Sequence, residues 1–275
     1  MTSNGHATDM SVPPMSGERS AAHPRFVGAL AIVVLAAAGG IYLGLMAADA
    51  ALLEALCRVD LGTGSAARFA LVALMWGAMV LAMMVPTAGP MVLTYGEIAE
   101  TAARKGEPVA SPVALIAGFV VVWLGFALAA AILQALLVRA ALLDPQVAAG
   151  GLLSGALFLA AGAYQFSALK HACLTHCQRP FPFFFANWTE SPVGVFRLGL
   201  RQGFYCVGCC WAMMLLMLAV GVMNVAWMAT LGIVMAIEKF GSGLRCTRLV
   251  GAVLTAIGVV VVVWSIGAHW PARAG

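Results

Sequence analysis

The sequence predicts an all-α fold, a polytopic membrane helix bundle of about seven transmembrane helices with its N-terminus in the cytoplasm. Three observations carry that reading. Of 275 residues, 63% are hydrophobic and only 9% charged, where a soluble domain has roughly a quarter charged, and mean hydropathy is +0.97. Apolar stretches recur at or near the length of about 20 residues that crosses a hydrocarbon core. Lys and Arg divide unevenly between the loops those stretches define. The net charge of +4 lies in loops. It is not a nucleic-acid signal, so no nucleic-acid partner is expected, and the lipid bilayer is the surrounding the chain is built for.

Residues 1–25 are polar, with Pro and Ser, and read as a disordered tail. The bundle occupies residues 26–268, and residues 269–275 form a short C-terminal tail. The first apolar run, Phe26 to Met46, is too long for a signal-peptide core of roughly 7–15 residues and is read as a retained span. Further spans fall at 69–92, 112–138, 150–169, 202–220, 223–238 and 249–268, or six in all if one stretch is re-entrant. Pro86 and Pro90 predict a kinked or broken second span, whose freed carbonyls need partners. Only Gly221 to Asn224 separates the fifth span from the sixth, a tight hairpin. Phe181 to Trp188, "FPFFFANW", reads as an aromatic anchor in the cytoplasmic interface.

Seven spans put Arg19, Arg25, Arg104, Lys105, Lys170, Arg179, Arg197, Arg201, Lys239, Arg245 and Arg248 on one side, and Arg58, Arg68, Arg139 and Arg273 on the other. Positive charge marks the cytoplasmic side. The localisation expected is a bacterial inner membrane, multi-pass.

Five of the seven cysteines fall in two blocks. Cys173 and Cys177 lie four apart with His171 and His176 beside them, and Cys206, Cys209 and Cys210 follow within "GFYCVGCCWAMMLLM". Spacings of three and four put side chains on one helical face. Each block is therefore a stripe of soft donors on one helix. Cys206 lies about 7–8 Å deeper than Arg201 at 1.5 Å per residue, and Cys173 sits just beyond Lys170, so the two stripes share a membrane face. Gly199, Gly203 and Gly208 would let those two helices approach. Lys170, Arg179, Arg197 and Arg201 would offset thiolate charge. Thiolates select Cu(I), Zn(II) or iron–sulfur clusters over hard cations, and cytoplasmic thiols stay reduced. Isolated Cys57 and Cys246 read as packing residues.

Met79 and Met83 of the second span reach the depth of Cys210 and Met213, with Met214 and Met217 following on the fifth. Thioethers bind Cu(I) and serve zinc poorly, so a methionine ladder beside thiols would favour copper; the alternative reading is that these methionines fill gaps between helices. Glu238, at the end of the sixth span, reads as a ligand, an ion-pair partner or, beside Lys239, an interfacial residue.

The runs "MWGAMVLAMMVPTAGP", "AYQFSALKHACLTHC", "RQGFYCVGCCWAMM" and "GVMNVAWMATLGIVMAIEK", in that order, resemble the bacterial membrane family called domain of unknown function 2182, described as predicted metal-binding integral membrane proteins. The resemblance runs from about Leu71 to Lys239. It implies metal binding at Cys173, Cys177, Cys206, Cys209 and Cys210 without naming the metal.

The function expected is soft-metal binding by a non-enzyme, with Cu(I) favoured over Zn(II), in transport, sensing or delivery. Its partners would be the metal ion and a metallochaperone or metalloenzyme. The rival readings are a membrane thiol–disulfide oxidoreductase using Cys206 and Cys209, and a structural zinc site in a membrane scaffold.

Overall fold

The computed structural model describes residues 24–48, 65–140, 151–220, 225–241 and 244–269. Those residues are built from helices: α1 (Pro24–Ala48), α2 (Ser65–Met84), a 3₁₀ turn (Pro86–Ala88), α3 (Gly89–Arg104), α4 (Pro112–Arg139), α5 (Gly151–Gln165), α6 (Ala168–Gln178), α7 (Pro180–Ala186), α8 (Pro192–Val220), α9 (Val225–Phe240) and α10 (Leu244–His269). Most of the tail, Cys57, the Gly221–Asn224 hairpin and residues 270–275 lie outside the described residues.

Five stretches are long and apolar enough to cross a membrane: Arg25–Leu45, Phe69–Arg104, Pro112–Arg139, Pro192–Val220 and Arg245–Gly267. A sixth is the pair α5–α6, bent by 65°. The count among the described residues is therefore five or six, where the sequence predicts about seven. The difference lies in the stretch 223–238, whose described part lies in α9. Its 16 residues rise about 24 Å, short of a hydrocarbon core of about 30 Å.

The expected break in the second span is present. Pro86 has no N–H to continue α2, and the chain makes one 3₁₀ turn before α3 resumes. Of the carbonyls released, Met84 O accepts a hydrogen bond from Thr87 Oγ1 at 2.7 Å. The stretch 150–169 also breaks, after Gln165. Ser167 caps α6 by accepting from Lys170 N at 3.1 Å, which starts a new helix where one straight span was expected.

Two helix pairs frame the core. α5 lies along α10, and α4 lies along α8. A Cβ on Gly199 would collide with Leu115 O, and one on Gly118 with Phe196 O, so these backbones touch directly. Gly203 likewise meets Val122. Gly199 and Gly203 thus serve the α4–α8 contact, not the contact with the Cys173 stripe that the sequence suggested. Only Gly208 serves that one.

Candidate metal centre

The core of the bundle carries a polar, sulfur-rich cluster at the meeting of α6, α8, α9 and the α2–α3 break. α8 supplies Cys206, Cys209 and Cys210, each about 1–2% exposed. Cys210 follows Cys209 directly, and Cys206 lies one turn earlier, so the three cover one side of the helix. α6 supplies Cys177, whose Sγ lies 3.9 Å from Cys209 Sγ. Cys209 Sγ is 3.2 Å from Cys210 Sγ and donates to Cys206 O at 3.1 Å. All four are free thiols. Cys173, also free and buried, packs on Gly208, where an added methyl would sit 2.6 Å from its sulfur. The Tyr164 hydroxyl fixes the same turn of α8 by donating to Gly208 O.

Buried charge surrounds the thiols. Lys239 is 6% exposed, and its Nζ lies 2.9 Å from Cys206 Sγ, 2.6 Å from Thr87 Oγ1 and 4.0 Å from Met84 Sδ. Thr87 therefore links the break in the second span to the thiols. Lys170 Nζ pairs with Glu238 Oε2 at 2.7 Å, with both side chains 1% exposed. Gln178 Nε2 donates to Glu238 O at 2.7 Å and Gly241 O at 2.8 Å, which fastens α6 to the end of α9. Met213 Sδ accepts from Gln165 Nε2 at 3.1 Å and lies 3.9 Å from Lys170 Nζ. Glu238 Oε1 and Gln165 Oε1 have no hydrogen-bond partner.

The structure sorts the sequence-predicted donors. Cys177, Cys206, Cys209 and Cys210 converge, and Met213 joins their polar surround. Met79, Met214 and Met217 are buried in the hydrophobic core. Met83 lines an apolar groove with Gly232 and Met228, and its neighbour Met84 is the methionine that reaches Lys239. His171 is half-buried with Nε2 unpartnered. The His176 ring is engaged elsewhere, on Ala172 O at 2.9 Å and stacked on Tyr205 at 4.3 Å.

Glu238 and Lys239 are both buried, and Glu238 is the ion-pair partner that the sequence allowed, with Lys170. One expectation is corrected. The cation against the thiols is Lys239, while Arg201 contacts Asn187 and Phe183 and Lys170 is taken by Glu238.

The donor set suits a soft ion. Thiols sharing one tetrahedral ion at about 2.3 Å per bond stand about 3.8 Å apart, and the Cys177–Cys209 separation of 3.9 Å matches. The Cys209–Cys210 separation of 3.2 Å is shorter and requires a side-chain rotation. Among the described residues, no three His, Cys, Asp or Glu side chains stand ready-made as a metal site.

No curated protein and no solved structure matches the chain. One family does, over residues 73–261. That region spans more than half of the 275 residues and holds both cysteine blocks, Lys170, Glu238 and Lys239. The chain belongs to the PpoB2 family, described as copper chaperones.

Proposed function

We propose that this protein is a multi-pass protein of the bacterial inner membrane that holds Cu(I) as cargo on Cys177, Cys206, Cys209 and Cys210 and passes it between a metallochaperone and a membrane metalloenzyme. One observation carries the reading: thiols from two helices meet beside the buried ammonium of Lys239. Soft thiolates favour Cu(I). Ligation releases the thiol protons, and the negative charge left behind is costly in a dry interior. Lys239, 2.9 Å from Cys206 Sγ, offsets part of it. Met213 and Met84 supply thioethers nearby, donors that hold Cu(I) and neglect zinc. The excess of Lys and Arg on the side of Lys170 and Arg201 supports a cytoplasm-facing cluster, where thiols remain reduced.

The test is metal competition. Protein purified anaerobically in mild detergent is offered Cu(I) and Zn(II) together, beside a Cys206→Ser/Cys209→Ser/Cys210→Ser variant. The expected result is copper on the parent and none on the variant. Zinc on the parent with an unfolded variant would make the site structural. No metal, with thiols oxidising in pairs, would move the reading to thiol–disulfide exchange.

A further inference from the structure

A second cavity, of about 380 Å³, opens at the outer edge of α6, α7 and α8. Its lining carries two arginines, Arg179 at the α6–α7 junction and Arg201 from α8, beside His176, Tyr205 and Asn187. Among the described residues no carboxylate lines it. Arg201 donates to the neutral Asn187 Oδ1 at 2.9 Å and lies over the Phe183 ring at 5.3 Å. Among the described residues, neither Arg179 nor Arg201 makes an ion pair. Two guanidinium groups facing one cavity without a counter-charge repel each other, and both present forks suited to phosphate oxygens.

The rim of the cavity says where the phosphate comes from. α7 is seated by Phe183 and Phe184, which are buried against Tyr205 and Tyr95. Phe181 and Phe185 face the other way, 57% and 77% exposed and stacked at 6.1 Å. Exposed phenylalanines one turn apart suit an acyl layer, and arginines one side chain away suit the headgroup level above it. All of this lies on the side to which the chain's Lys and Arg are biased, where anionic lipids attract basic segments.

We infer that Arg179 and Arg201 bind the phosphate of an anionic phospholipid, with Phe181 and Phe185 set in its acyl region. His176 and Cys177 are neighbours on the last turn of α6, and they divide its labour. His176 lines the lipid cavity, whereas Cys177 reaches Cys209. A bound lipid would therefore hold the end of α6 against α8. That consequence rests on the copper reading, but the lipid site itself does not.

The experiment is native mass spectrometry of the full chain in detergent, titrated with phosphatidylglycerol, with phosphatidylcholine, or with inorganic phosphate. The expected result is retained phosphatidylglycerol, at least tenfold weaker retention of phosphatidylcholine, and no effect of millimolar phosphate. Arg179→Gln/Arg201→Gln should weaken phosphatidylglycerol at least tenfold. Arg197→Gln, an exposed arginine of α8 outside the cavity, should leave it unchanged. Helix content by circular dichroism certifies both variants, and Arg201→Lys alone serves if the double variant fails to fold, with a several-fold loss expected. Equal binding by the double variant, equal binding of the two lipids, or displacement by inorganic phosphate would each overturn the assignment. Lipid binding by a protein that takes up no copper would retain the lipid site and remove the copper reading.

Discussion

Among the described residues Lys239 makes no ion pair; its ammonium is held by a hydroxyl, a thioether and a thiol. Its charge would serve the anion that Cys206 becomes when a metal displaces its proton. Lys239→Met keeps the length and apolar stem and removes the charge. Copper affinity should fall about tenfold, roughly 1.4 kcal/mol, in competition with a Cu(I) chelator, and Lys239→Arg should retain most of it. Glu238 has the opposite task. Glu238→Gln would strand the Lys170 ammonium in the core, and breaking one side of a buried pair costs about 3–5 kcal/mol. The unfolding midpoint in detergent should drop accordingly, and a second change, Lys170→Met, should restore much of it. These residues mark where sequence reading stopped. The cysteines were legible because spacings of three and four define a helical face. Glu238 was legible in part, as an ion-pair partner, but the burial of Lys239 against Cys206 was not, because charge at the end of an apolar run ordinarily marks the interface.

Among elements, prolines were the readable breaks. Pro86 and Pro90 announce the interruption between α2 and α3. The break between α5 and α6 has no such marker. Ser167 makes it by capping a new helix, and serine inside an apolar run is also compatible with a continuous span. Glycine spacing announced a close helix contact without naming the partner, since small residues on α8 fit α4 as well as α6. The α4–α8 contact supports a third prediction. Gly199→Leu should wedge the two backbones apart and lower the unfolding midpoint, at an overpacking cost of about 1–3 kcal/mol. Gly44→Ala meets nothing within 4 Å and should be silent in the same thermal melt.

For the molecule as a whole, the orientation expected from the charge bias can be tested by fusions. Alkaline phosphatase folds only outside the cytoplasm, so a fusion after Arg139 should be active and one after Lys105 inactive. The reverse pattern would put the thiol cluster on the oxidising side and undo the argument for reduced cysteines. The sulfurs of Cys177 and Cys209 stand 3.9 Å apart on separate helices. If two such thiols surrender two electrons and two protons to dioxygen, α6 and α8 become covalently stapled and two of the four proposed donors vanish together. A copper site built on them would be perishable: a preparation opened to air would keep its helices and its mass to within two hydrogens, yet arrive at any copper assay half spent.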